Sequence, residues 1–242
     1  MRALVIIPTY NERENLPRLI TELLSLPAPL EIVVVDDNSP DGTGRLADEW
    51  AAKSQRVQVL HRAGKLGLGT AYVAGFKHGL KMGVDYLLTM DADFSHQPHY
   101  ITDLLARAPY ADLIIGSRYV AGGRAVDSPL LRRLLSYGAN LFAKTLLGLQ
   151  ARDCTAGFRC YRRALLESLP LDHIFSNGYS FLIELLFHIQ RQGWQVAEVP
   201  IEFIDRREGV SKISRAEITR AIYTVLRLGA ERFKRYHAPQ GV

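Results

Sequence analysis

The chain opens on a short apolar run, Ala3 to Pro8, with the length and composition of a buried strand. Leu16, Leu19, Ile20, Leu23 and Leu24 then recur at the spacing of an amphipathic helix, with Asn11 and Glu14 as the expected capping pair. The pattern repeats as a strand over 31–35, a helix over 43–54, a strand over 57–60, a helix over 70–82 closed by Gly83, and a strand over 86–90. Such alternation predicts an α/β sandwich: a mostly parallel central sheet with helices on both faces. Farther along, the pattern predicts helices over 98–106, 129–147 and 180–192 and a strand over 112–116. Short strands are expected over 157–161 and 194–204, antiparallel at the sheet edge.

Two of these strands stop abruptly at acids. Tyr86-Leu87-Leu88-Thr89-Met90 runs into Asp91-Ala92-Asp93, and Glu31-Ile32-Val33-Val34-Val35 runs into Asp36-Asp37-Asn38-Ser39-Pro40-Asp41-Gly42-Thr43. Ligands of open α/β sheets bind at the carboxyl ends of the strands, so the Asp91/Asp93 pair is placed to hold a divalent cation against an anion. An isolated D-x-D also occurs in solvated turns, and Asp41 or Thr43 is explained as a helix cap. Asp36 and Asp37 are not so explained. Carboxylates at the end of a fully apolar strand need partners, whether a base, a ribose or a metal.

A chain of 242 residues, 48% hydrophobic, can bury a sizeable core as one large domain. Its first strand begins at Ala3, where a secretory signal is not expected, and no apolar stretch is long enough to cross a bilayer. The expectation is a protein of the cytoplasm or the cytoplasmic membrane face. Cys154 and Cys160 fit neither a zinc site nor a disulfide framework. The net charge of +5 is confined to one segment: seven basic and two acidic residues lie from Lys212 to Tyr236, and the remainder is balanced. A nucleic-acid binder would spread basic and aromatic residues over a face, so no nucleic-acid partner is expected. Gly64-Lys65-Leu66-Gly67-Leu68-Gly69 has the spacing of neither a P-loop nor a dinucleotide fingerprint and reads as a loop approaching a ligand closely.

As a set, five stretches resemble dolichyl-phosphate (polyprenyl-phosphate) mannose synthases, inverting glycosyltransferases of family 2. They are Pro8 to Asn15, Val35 to Thr43, Met90 to His96, Gly116 to Tyr119 and Asp205 to Lys212. The resemblance covers nearly the whole chain and implies a GT-A fold, here a glycosyltransferase domain over 1–212 followed by a basic amphipathic helix and tail over 213–242. It implies that Pro8, Tyr10, Glu12, Val35 and Asp37, with Asp91, Ala92 and Asp93, bind the nucleotide sugar, and that Asp91 and Asp93 hold Mg²⁺ or Mn²⁺. Arg118, Arg132, Ser136, Arg206, Ser211 and Lys212 would meet the donor or the acceptor phosphate, with Arg118, Arg206 and Lys212 joining Asp91 and Asp93 in catalysis. Some relatives carry Gln two residues after the second metal Asp; this chain has Ser95, which leaves the third ligand open between Ser95, His96 and water.

The implied reaction moves mannose from GDP-mannose to dolichyl or polyprenyl phosphate. A phosphomonoester with a second pKa of about 6 is already an anionic nucleophile at neutral pH, so cationic positioning matters more than a strong base. The expected setting is a membrane surface. In the C-terminal segment Ile218, Ile222, Val225, Leu226, Gly229 and Phe233 share one helical face, with Arg220, Arg227, Arg232, Lys234 and Arg235 elsewhere. That face suits either an anionic bilayer surface or docking on protein, whether the helix's own domain or a membrane-spanning partner subunit. The nearest rival in the same class is a polyprenyl-phosphate glucosyltransferase using UDP-glucose. A rival from another class is a noncatalytic nucleotide-sugar or nucleic-acid binding module, which donor hydrolysis would distinguish from an enzyme.

Overall fold

The computed structural model describes residues 1–127, 129–204 and 215–236, apart from the side chains of residues 131, 132, 179, 215–218 and 233–236. Four βα steps and a fifth strand build the first half: β1 (Ala3–Thr9), α1 (Leu16–Ser25), β2 (Leu30–Asp36), α2 (Thr43–Lys53), β3 (Val57–His61), α3 (Leu68–Met82), β4 (Tyr86–Thr89), α4 (Tyr100–Arg107) and β5 (Leu113–Ser117). There follow β6 (Arg124–Val126), α5 (Leu130–Leu147), β7 (Arg159–Arg162), α6 (Arg163–Glu167), α7 (Tyr179–Arg191), β8 (Val196–Pro200), β9 (Glu202–Ile204) and α8 (Arg215–Tyr236). The main sheet has the order β3-β2-β1-β4-β7-β5-β8, and β6 pairs with β9 in a separate parallel ribbon.

The central strands are apolar on both faces because helices cover both. Along β1, Leu4 and Ile6 belong to one core cluster with Tyr72, Phe76, Phe181 and Leu185 from α3 and α7. Ala3, Val5 and Ile7 point the other way, toward Leu16, Leu19 and Ile20 of α1 and Leu104 of α4. This is the continuous hydrophobic signature of a parallel sheet buried on both sides.

Three details depart from the sequence pattern. The antiparallel strand β7 is not at the sheet edge but between β4 and β5, while the edge strand β8 runs parallel to β5. Periodicity within a strand says nothing about its neighbours, so placement was open. Asn11 and Glu14 do not cap α1, which starts at Leu16 without a side-chain cap; Asn11 has a positive φ of 60°. The apolar arc of α8 is divided: Val225, Leu228 and Gly229 are buried against α5 and α7, whereas Ile222 and Leu226 are exposed. The arc is wider than the contact. Cys154 and Cys160 are free and buried, and burial pushes the Cys154 thiol up to about 12, which makes it an inert small residue at neutral pH.

Close approach of α3 to the sheet requires glycine. A Cβ on Gly75 would stand 2.4 Å from Ile6 Cγ2, and one on Gly79 would stand 2.5 Å from Leu87 Cδ2. Gly75→Ala therefore overpacks the core and is expected to cost about 1–3 kcal/mol in a urea titration, despite alanine's better helix propensity.

Candidate active site

The parallel register brings the ends of β1, β2 and β4 to one edge. Thr9 pairs with Asp36, Asp37 N donates to Thr9 O at 3.0 Å, and Met90 N donates to Ile6 O at 3.1 Å. Each strand is followed by a non-glycine residue in the left-handed region: Asn11 (φ 60°), Asn38 (φ 56°) and Phe94 (φ 59°). Such conformations are costly for a bulky residue like Phe, and they cluster where function demands a particular chain direction.

The four acids at this edge differ in surroundings. Asp36 is buried and accepts hydrogen bonds from Thr9 Oγ1 (3.0 Å), Ser39 N (3.0 Å) and Ser39 Oγ (2.5 Å), which closes the turn after β2. Asp37, also buried, pairs with Arg62 Nη1 at 2.6 Å and accepts the N–H groups of Leu66 and Gly67 at 3.0 and 3.1 Å. It thereby fastens the glycine-rich loop across the end of β2. That loop carries Lys65, whose ammonium lies 4.1 Å from the centre of the Tyr10 ring. Pro8 and Tyr10 are half-buried, Glu12 is buried, and Val35 is fully enclosed in the core beneath the edge. Asp41 accepts from Thr43 N (2.9 Å) and Oγ1 (2.6 Å); burial pushes its carboxyl up, and these bonds with that from Arg13 N bring it below the usual value.

Asp91 and Asp93 are partly exposed, with Ala92 buried between them. Asp91 Oδ1 accepts from Tyr72 Oη at 3.1 Å. Asp93 Oδ1 accepts from Ser95 N (3.1 Å) and Ser95 Oγ (2.6 Å), which shapes the turn and directs the Ser95 hydroxyl at Asp93. His96 is buried, stacked 5.1 Å from Phe158, and its Nδ1 accepts from Asp91 N at 3.3 Å. Burial, only partly opposed by Asp91 and Asp93, pushes the imidazole below its ordinary value. Through the bond from Asp91 N the ring orients the turn.

Two oxygen-donor carboxylates suit a hard divalent cation. Among the described residues no group of three or more His, Cys, Asp or Glu could hold a metal. A cation at Asp91 and Asp93 would therefore keep positions open for other ligands.

Arg118 is linked to His96 by an aromatic ring. Phe203 of β9 joins the two, 5.5 Å from the His96 ring and 5.1 Å from the Arg118 guanidinium. Arg118 makes a two-pronged pair with Asp153, Nε to Oδ2 and Nη2 to Oδ1, both at 2.8 Å, and Nη2 also reaches Thr155 Oγ1 at 2.9 Å. Ser136 of α5 contacts Tyr119 Oη at 3.1 Å. Arg206, Ser211 and Lys212, and the side chain of Arg132, lie outside the described residues. Asp153, Thr155, Arg62 and Lys65 were not singled out by the sequence pattern. The acid-small-Thr-small-Gly run at 153–157 was the available signal, but its partner Arg118 is 35 residues away.

Comparisons with known proteins give the family and the fold. The model of the Glycosyl transferase family 2 matches residues 4–169. An undecaprenyl-phosphate mannosyltransferase of Micrococcus luteus is 47% identical over 95% of this chain and 94% of its own. A polyprenol monophosphomannose synthase of Mycolicibacterium smegmatis is 50% identical over 94% of this chain and 87% of its own. Glucosyl-3-phosphoglycerate synthase from Mycobacterium tuberculosis, solved with Mn²⁺, UDP and phosphoglyceric acid, is 21% identical, with a TM-score of 0.68 over 94% of this chain and 78% of that one. The shared sandwich is the GT-A fold.

Removing the Asp37 carboxylate frees two loop amides and takes away the ion pair of Arg62, which keeps its bonds to Gly67 O and Thr70 Oγ1. Hydrogen exchange of Asp37→Ala is expected to show protection at Leu66 and Gly67 reduced by about 1–3 kcal/mol, with β1 and β4 amides unchanged.

Proposed function

This chain belongs to glycosyl transferase family 2, and we propose on that premise that it transfers mannose, with inversion, from GDP-mannose to a polyprenyl phosphate at a membrane surface. The observation that carries the reading is the partly exposed Asp91/Asp93 pair at the edge where the carboxyl ends of β1, β2 and β4 meet, beside His96, which Phe203 links to Arg118. The two polyprenyl-phosphate mannosyltransferases named above supply the sugar and the acceptor class.

In this reading Tyr10, Glu12 and the Asp37-held loop bind the nucleoside, and Asp91 and Asp93 hold Mg²⁺ or Mn²⁺. The cation, when bound, neutralises charge on the departing diphosphate. An acceptor phosphate oxygen forms a bond to the anomeric carbon as the bond from that carbon to the GDP oxygen breaks, and GDP leaves with the electron pair. The phosphate is already ionised, so no residue must remove a proton. Arg118, with Arg132, Arg206 and Lys212, offsets repulsion between the two anions, and Ser136 and Ser211 complete the acceptor side.

Support for a lipid surface comes from α5 and α8. Of the exposed large hydrophobic side chains, Leu130, Leu134, Leu135, Tyr137, Leu141 and Phe142 lie on α5, and Ile222, Tyr223 and Leu226 on α8. Leu130, Leu134, Tyr137 and Leu141 form one stripe at helical spacing. From Leu130 to Leu147 the sequence has Arg132, Arg133 and Lys144 and no acid. An apolar stripe on a helix whose only charged residues are bases suits an anionic interface. No helix of the described residues is long and apolar enough to cross a membrane. Docking of a membrane-spanning subunit on the same stripe is the competing occupant.

The purified protein with Mg²⁺ is expected to form a mannosyl polyprenyl phosphate from GDP-mannose in a panel of GDP- and UDP-sugars, identified by mass spectrometry. EDTA should abolish turnover and Mn²⁺ or Mg²⁺ restore it, and Asp93→Ala should lose about a hundredfold or more. Product from UDP-glucose alone would transfer the assignment to the glucosyl rival.

Leu134→Asp with Leu141→Asp, both at exposed positions, is expected to weaken binding to anionic liposomes about tenfold or more without changing the melting temperature. Binding to liposomes at wild-type strength would leave the stripe to a protein partner.

A further inference from the structure

We propose that Asp153 is a positioning residue for sugar transfer, and that the 152–157 loop is a rigid mount that aims Arg118 through it; the proposal rests on the transferase reading above. The first observation is the pair itself. Asp153 is fully buried, and its carboxylate receives both prongs of Arg118 and, at 3.1 Å, the Arg118 main-chain N–H. Burial pushes its carboxyl up, and the Arg118 charge and hydrogen bonds bring it below the ordinary range. Asp153 is thus an anion directed at Arg118, enclosed away from solvent and unsuited to abstract a proton from a substrate.

The second observation is what holds the loop. Glu198 of β8 accepts the N–H groups of Arg152 (2.8 Å) and Asp153 (3.0 Å). Asn140 of α5 accepts Cys154 N at 2.8 Å and donates to Arg152 O. Thr89 of β4 donates to Gly157 O at 2.6 Å. Arg159 of β7, fully buried, donates to the carbonyls of Cys154 (2.8 Å) and Ala156 (2.7 Å) and to Leu182 O in α7 (3.0 Å). Four elements of the fold therefore converge on the main chain of one short segment.

A buried cation bonded to main-chain carbonyls is an expensive way to order a surface-to-core loop. Here it is explained by what the loop presents: Asp153 and Thr155, the acceptors that fix the Arg118 guanidinium beside Phe203, whose ring also meets His96. The pair fixes the direction in which the guanidinium faces, where an arginine without it would sample several rotamers. Asp153 acts through Arg118 and does not itself touch substrate.

A double-mutant cycle on the full-length protein tests this, with transfer to a short-chain polyprenyl phosphate, GDP affinity by calorimetry and melting temperature as readouts. Asp153→Asn is expected to lower kcat/KM for the acceptor by about thirtyfold or more while GDP affinity with Mg²⁺ stays within about twofold. Arg118→Ala should lose at least as much, and the double variant should lose no more than about twofold beyond Arg118→Ala. Multiplying losses, or wild-type transfer by Asp153→Asn, overturns the proposal. If Asp153→Asn does not fold, Thr155→Val serves: an acceptor KM raised about three- to tenfold, with no further rise in the Arg118→Ala background, supports it, and an unchanged KM overturns it. A wild-type protein inert toward every lipid phosphate overturns the transferase reading, and the proposal with it; active wild type with an unaffected Asp153→Asn overturns the proposal alone.

Discussion

Burial of both faces of the central strands is the constraint on which the rest of this structure depends. Val5 and Ile6 are neighbours in β1 and belong to opposite cores, so neither face of the sheet has room for water or substrate. Polar chemistry is displaced to the strand ends, where the main chain must also turn into helices. Because β1, β2 and β4 are parallel and adjacent, their carboxyl ends meet at one edge, and residues from widely separated sequence positions become one site.

At that edge the acids divide by the partners the fold gives them. Asp36 and Asp37 receive donors from Thr9, Ser39, Arg62, Leu66 and Gly67 and hold turns in place. Asp91 and Asp93 sit in a turn that is itself held, by His96 on one side and Ser95 on the other, with their carboxylates partly exposed. The same chemical group is a scaffold in one case and is left accessible in the other. Rigidity of the turn matters because a cation bound through few protein oxygens is placed only as well as those oxygens are.

Arg118 follows a different logic. It is held by a buried carboxylate on a loop to which β4, β7, β8 and α5 all contribute. Helix α5 takes part in two ways: Asn140 faces inward to that loop, and Leu134 and Leu141 face outward to solvent. The helix thus connects an exposed apolar surface with the mount of the arginine in a single rigid element.

Much of the fold was written in local patterns. Apolar runs ending in acids marked β2 and β4, the 3.6-residue spacing marked α1, and the βα alternation marked a parallel sheet, because each reports burial of a segment's own side chains. The motifs at 8–15, 35–43 and 90–96 follow β1, β2 and β4 and meet at one edge of the sheet. Local pattern carries no information about which distant group will satisfy a given side chain. That is why the sequence left open whether Asp37 meets a ligand or Arg62, whether Arg118 stands alone or with Asp153, and whether β7 lies at the edge or in the middle. It also left open how the apolar arc of α8 is divided between its own domain and solvent. The sequence by itself determined the elements and the residue types gathered at the strand ends. Only the tertiary structure decided their partners, since hydrogen bonds and ion pairs act over a few ångströms and depend on neighbours brought together from elsewhere in the chain.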